Sequence, residues 1–193
     1  MNSSESGDSD PAAPSHIRIA IVGSTSSGKT TLAKALAGKL GVPHVELDAF
    51  YHGPNWLQTP EDEFRKLTDA ATLEGSWISD GNYHLARDIV WPRATMLVWL
   101  DYSFPLVFLR LFKRTMLRGI LGTELWNGNR ETLWRHFFTK ESLFLWLFQT
   151  YWRRRREITE ATALPEYGHL QVLKFRSPAA AERWLRKVII QRL

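Results

Sequence analysis

Ile17-Arg18-Ile19-Ala20-Ile21-Val22-Gly23-Ser24-Thr25-Ser26-Ser27-Gly28-Lys29-Thr30-Thr31 decides the fold of this chain. An apolar run runs straight into Gly-x-x-x-x-Gly-Lys-Thr, a complete P-loop in the strand-to-helix setting that this motif requires. Its glycines let the backbone wrap a phosphate chain, so that successive N–H groups and the N-terminus of the next helix face anionic oxygens. Gly23, Ser24, Thr25, Ser26, Ser27, Gly28, Lys29, Thr30 and Thr31 are therefore the expected nucleotide-binding residues. Lys29 is placed to reach the β- and γ-phosphates. The Thr30 hydroxyl is placed for Mg²⁺, and Thr31 for the α-phosphate.

Downstream, Lys29 to Leu40 has helical apolar spacing and stops at Gly41 and Pro43. His44 to Asp48 reads as a short strand, and Ala49 to Gln58 as an aromatic loop. Thr59-Pro60-Glu61-Asp62 has the pattern of an N-cap, a proline at the first helical position and acidic partners, opening a helix to about Glu74. Trp77 to Asp80, Ala94 to Leu100 and Leu170 to Phe175 read as further strands, and Ser177-Pro178 opens a last helix. Strands alternating with helices imply a doubly wound parallel α/β sheet. Phe104 to Arg118 and Lys140 to Thr159 read as helices separated by the glycine- and asparagine-rich stretch from Gly119 to Asn129.

A chain of 193 residues suits one domain, expected over residues 16–193. Met1 to Ser15 has neither a basic start nor an apolar stretch and reads as a disordered acidic tail. It carries Glu5, Asp8 and Asp10 and no Lys or Arg, so the rest is three charges more basic than the whole chain's +5. That balance suits a polyanionic partner: nucleotides, nucleic acid or a membrane surface. With no cysteine, disulfides and thiolate zinc sites are excluded, and a reducing, cytoplasmic setting is expected. The most apolar window, Leu143 to Trp152, is about half the ~20 residues of a membrane span and is bracketed by Lys140, Glu141 and Arg153.

Ligands of open α/β sheets collect at the carboxyl ends of the strands. Asp48, with Phe50, Tyr51, His52 and Trp56 close by, is the expected contact of an acceptor hydroxyl and its proton. Asp80, ending the third strand in Asp80-Gly81-Asn82-Tyr83, is the expected second holder of hydrated Mg²⁺. Arg110, Arg114 and Arg118 recur every four residues along one helix face up to the Gly-rich stretch, and Arg130 stands beyond it. Arg114, Arg118 and Arg130 are the expected contacts of a transferring phosphoryl group. The run Arg153 to Arg156 receives no catalytic role, and the six histidines show no metal-ligand spacing.

Taken together, the P-loop, Glu46-Leu47-Asp48 followed by Trp56, Trp77-Ile78-Ser79-Asp80-Gly81-Asn82-Tyr83 and Glu124-Leu125-Trp126-Asn127-Gly128-Asn129-Arg130-Glu131 resemble the adenylate-kinase-like P-loop proteins labelled topology modulation proteins or AAA-type ATPases. The resemblance spans most of the ordered chain. It implies a three-layer, nucleoside- or nucleotide-kinase-like fold with strand order 2-3-1-4-5. It also implies an acceptor-binding arm at about residues 49–75 and a helical lid at about 119–131. Adenylate kinases have an Asp-Gly-Phe-Pro-Arg turn where this chain has Asp80-Gly81-Asn82-Tyr83, leaving Arg87 or Arg93 to replace the missing arginine. The expected activity is transfer of the ATP γ-phosphate, with Mg²⁺, to a small nucleotide or hydroxylated metabolite. The alternative is a nucleotide-dependent switch or nucleic-acid-associated ATPase, since basic charge interleaved with aromatics also suits a nucleic acid.

Overall fold

The computed structural model describes residues 16–53, 57–121 and 143–190. Its elements, in chain order, are β1 (Arg18–Gly23), α1 (Lys29–Leu40), β2 (His44–Glu46), α2 (Leu47–Tyr51), α3 (Glu61–Thr72), β3 (Trp77–Asp80), α4 (Arg87–Arg93), β4 (Met96–Leu100), α5 (Phe104–Leu121), α6 (Leu143–Thr162), β5 (Gln171–Phe175) and α7 (Pro178–Ile190). All five strands are parallel, in the order β2-β3-β1-β4-β5.

β1 reads as a continuous apolar run because it is covered on both faces. Its side chains alternate between two cores. Ala20 and Val22 join Val45, Phe64, Trp77, Val90 and Trp99 on the side of α3 and α4. Ile19 and Ile21 join Leu32, Leu36, Val98, Val107 and Leu111 on the side of α1, α5 and α7. α6 belongs to both: Leu147 and Tyr151 pack in the second core, Ile158 and Ala161 in the first. It therefore crosses from one face of the sheet to the other. The Tyr151 hydroxyl donates to the Tyr102 carbonyl just past β4, and the Arg154 guanidinium donates to the Asn82 carbonyl just past β3, so the crossing runs over the carboxyl edge.

Three expectations are corrected. The second strand stops at Glu46, because Leu47 turns inward, 3% exposed, and starts the short helix α2, which occupies the beginning of the expected loop. Asp48 thus sits in a first helical turn rather than at a strand end. The Thr59 hydroxyl does not cap α3; it donates to the Phe50 carbonyl at 2.7 Å and closes the loop behind α2. α5 continues through Gly119 to Leu121. The expected tail over 1–15, Trp56, and most of the expected lid with Arg130 lie outside the described residues, as does the side chain of Arg118.

α3 is fixed to α4 by two arginine ion pairs, of which the first is forked. Arg65 meets both carboxylate oxygens of Asp88 at 2.9 and 2.6 Å, and Arg93 meets Asp69 at 2.6 Å and the Thr72 hydroxyl at 3.0 Å. Arg93, one of the two residues expected to replace the adenylate-kinase arginine, is thereby committed to holding helices together.

Candidate active site

Parallel pairing builds the site. Register places Ile21 beside Asp80 and Gly23 beside Leu100, so the β3 carboxylate lies against the base of the P-loop. Gly23 has φ +151°, and a Cβ there would lie 2.7 Å from the Leu100 carbonyl oxygen, so no other residue fits this strand end. Gly81 is equally constrained: with φ +149°, its Cβ would lie 2.9 Å from Cβ of Leu47. This close approach seats α2, and Asp48 with it, on the end of β3. Gly81→Ala will therefore lower stability by more than about 2 kcal/mol. Differential scanning calorimetry checks this, and a midpoint within about a degree of wild type would show that the contact yields freely.

Within the loop, Ser26 takes a left-handed φ of 56°. The hydroxyls of Ser26 and Ser27 are buried without a hydrogen-bond partner among the described residues. Buried donors of this kind need acceptors, and phosphate oxygens match them. Lys29 Nζ donates to the carbonyls of Gly23 and Ser24, both at 3.0 Å. Burial chiefly lowers its pKa; the carboxylates of Asp48 and Asp80 oppose the shift, and Arg154 and Arg114 reinforce it. Three cations and two carboxylates thus share one site.

Asp80, 2% exposed, is held on both oxygens. The Thr30 hydroxyl donates to Oδ2 at 2.7 Å, and Nε2 of His44 lies 2.6 Å from Oδ1. A hydroxyl and a carboxylate in contact beside a phosphate loop fit a Mg²⁺ ion that retains much of its water.

Asp48 is bound from the other side. The Tyr83 hydroxyl donates to its Oδ1 at 2.7 Å. Burial, then the neighbouring Asp48 charge, pushes the Tyr83 phenol far above its ordinary pKa, so it stays a donor. Its ring is gripped by Tyr51 and Phe64, with centroids at 4.6 and 5.1 Å. Burial lowers the pKa of His52, which follows α2, against the raising effect of Asp48.

The P-loop residues 25–31, Asp48, Tyr102, Arg110, Arg114 and Pro178 line one cleft of about 850 Å³, within the size range of small-molecule sites. Arg110 donates to the Ser27 carbonyl at 2.9 Å and lies over the Tyr102 ring at 5.5 Å. Arg114 lines the same cleft. A much smaller recess is lined by Asn82, Tyr83, Arg87, Trp91, Arg154 and Glu157, and its Tyr83 bonds Asp48 of the cleft.

Sequence reasoning missed Arg154. It was read within a basic run, yet it falls on the buried stripe Leu147, Tyr151, Ile158 and Ala161 at helical spacing. A single charge inside an apolar stripe was the available signal. Its guanidinium lies over the Trp146 ring at 4.8 Å, and burial is the largest cause of its lowered pKa. His44, Asn82 and Tyr83 were also missed as site residues; nothing in their spacing marks the bonds that they make.

Residues 19–78, from β1 into β3, match the model of the ATPase family associated with various cellular activities (AAA). Among curated proteins none matches the chain. Similar solved structures include shikimate kinase from Bacteroides thetaiotaomicron, at 18% identity and TM-score 0.52, covering 92% of this chain and 99% of that one. The shikimate kinase from Aquifex aeolicus has 15% identity and TM-score 0.51, covering 91% and 95%. A sugar kinase from Janibacter has 19% identity and TM-score 0.50, covering 91% and 93%. The chain has the P-loop kinase fold. In a P-loop kinase fold the cleft described above lies at the carboxyl edge of the sheet, where the P-loop, Asp48 and Asp80 converge. No described helix is long and apolar enough to cross a membrane.

Proposed function

We propose that this protein is an adenylate-kinase-like phosphotransferase that moves the γ-phosphate of ATP to a small hydroxylated acceptor. The carrying observation is that Asp48, a carboxylate bonded on one oxygen by Tyr83, shares a cleft with the P-loop lysine. A nucleotide switch needs the lysine but has no use for that carboxylate. In the proposed reaction the acceptor hydroxyl lies against Asp48, which orients it and takes its proton as the phosphoryl group arrives. Lys29 and Arg114 steady the phosphoryl oxygens, with Arg118 and Arg130 as further contacts in the proposed lid. Thr30 and Asp80 would hold Mg²⁺, which would neutralise phosphate charge there. The acceptor arm is assigned to about residues 49–75 and the lid to about 119–131.

The recess beside Tyr83 supports an acceptor that also carries a carboxylate or phosphate. Arg87 and Arg154 line it, and among the described residues neither forms an ion pair, whereas Arg65 and Arg93 do. Glu157 lines it too, but lies 3.6 Å from Arg153. ADP release from Mg·ATP is the test, with nucleoside monophosphates, hydroxy acids and sugar phosphates set against neutral nucleosides and sugars, and with no acceptor as control. We expect one anionic compound to stimulate release at least about a hundredfold. Slow hydrolysis indifferent to every compound would overturn the proposal.

One observation favours the nucleic-acid reading. Phe148 and Trp152 are 60% and 50% exposed, and Trp152 stacks on Phe104 at 4.9 Å beside exposed Arg153 and Arg156. Hydrolysis indifferent to small acceptors, together with steeply salt-dependent binding to single-stranded DNA or RNA, would establish it.

A further inference from the structure

Asp80-Gly81-Asn82-Tyr83 sends each of its polar side chains to a different part of the site. Asp80 meets Thr30 and His44, and Tyr83 meets Asp48. Asn82 reaches back to the first residue of the P-loop: its Oδ1 accepts from the Gly23 N–H at 3.0 Å, and its Nδ2 donates to the Gly23 carbonyl. Only one orientation of the carboxamide makes both bonds. The two-point contact continues the hydrogen bonding of β1 beyond the end of β3, at the residue where the strand turns into the loop.

The same carbonyl also accepts from Lys29 Nζ at 3.0 Å. A lysine that reaches for phosphate leaves that oxygen, and a buried carbonyl without a donor is costly. We infer that Asn82 is a positioning residue for nucleotide capture: it keeps the Gly23 carbonyl satisfied when Lys29 turns to the β-phosphate. The inference rests on the nucleotide-binding reading of the cleft. Its neighbours extend the consequence. The Asn82 carbonyl accepts from Arg154 at 3.3 Å, and the next residue holds Asp48, so the P-loop head and the acceptor carboxylate are fastened to adjacent residues of one short segment.

The test is calorimetric titration of Mg·ADP into the full chain as wild type, Asn82→Ala, Lys29→Ala and the double variant. Loss of the two bonds should raise the Kd for Asn82→Ala at least about tenfold. In the Lys29→Ala background the same substitution should change it less than about twofold, because Asn82 acts through the lysine. A merely structural role would instead give the same penalty in both backgrounds, and that additive result, or a wild-type Kd for Asn82→Ala, would overturn the inference. Failure of the wild type itself to bind Mg·ADP would overturn the nucleotide reading and the inference together. Should Asn82→Ala not fold, Asn82→Leu takes its place in the cycle. Its side chain keeps roughly the shape of the carboxamide and adds no charge, but it offers no hydrogen to the Gly23 carbonyl, so the same tenfold loss and the same dependence on Lys29 are expected.

Discussion

Asp48→Asn will cut phosphoryl transfer to the acceptor by about 10²- to 10⁴-fold, the range associated with a positioned proton acceptor. The carboxamide keeps the shape of the side chain and an oxygen for the Tyr83 hydroxyl, which lies 2.7 Å from Oδ1 in the wild type. It loses the charge and the capacity to take a proton. Nucleotide binding is not expected to weaken, because removing a negative charge near Lys29 makes the site more receptive to a polyphosphate. The diagnostic result is a fall in kcat with a Kd for Mg·ADP within about twofold of wild type or tighter. Unchanged turnover would remove Asp48 from the mechanism and favour an ATPase that needs no acceptor.

Lys29→Ala will lower turnover by about 10²- to 10³-fold, as expected when a preorganised donor to a transferring group is lost. It will also weaken Mg·ATP binding. The wild-type ammonium is buried and held on the Gly23 and Ser24 carbonyls, 3.0 Å from each. Lys29→Arg should not restore activity, since a planar fork cannot occupy the place of a compact ammonium at the base of the loop. Single-turnover kinetics with saturating Mg·ATP separates the two effects, and turnover near that of the wild type would mean that the P-loop here does not serve phosphoryl transfer.

The parts of this protein that were legible in its sequence are those whose cause is local. The P-loop is written in residues 23–30, and both flanking elements stand where the apolar run and the Leu32-Leu36-Leu40 spacing place them. β3 lies at Trp77–Asp80 as read. α2 was not legible, because His44-Val45-Glu46-Leu47-Asp48 alternates as a strand does and the turn at Leu47 depends on its fit against Gly81, thirty-four residues away. Thr59 illustrates the same limit: it carries the signature of a cap, but once α2 forms its hydroxyl donates to the Phe50 carbonyl instead of accepting from a helix N–H. At the candidate site, Asp48 and Asp80 could be named from their places near strand ends, whereas the partners that aim them could not. His44, Asn82 and Tyr83 act across 36, 59 and 35 residues of chain, distances over which composition carries no signal. The arginines divide likewise. Arg110 and Arg114 face the cleft as their four-residue spacing suggested, Arg93 is held by Asp69, and Arg154 is singled out from its run by the stripe on which it sits.

The course of α6 across the carboxyl edge has a consequence for how the molecule comes apart. A five-stranded parallel sheet divides its covering helices into two layers that share few direct contacts, and such layers could in principle melt one after the other. α6 stitches them: Leu147 and Tyr151 are sewn into one, Ile158 and Ala161 into the other. Loosening either layer pulls the rod from its second seat, so the two lose structure cooperatively, in the all-or-none manner of small domains. Arg154 lies between the two seats. The cationic cluster around Lys29 is therefore complete only in the fully assembled molecule, and a partly folded chain would carry the P-loop sequence without the means to use it.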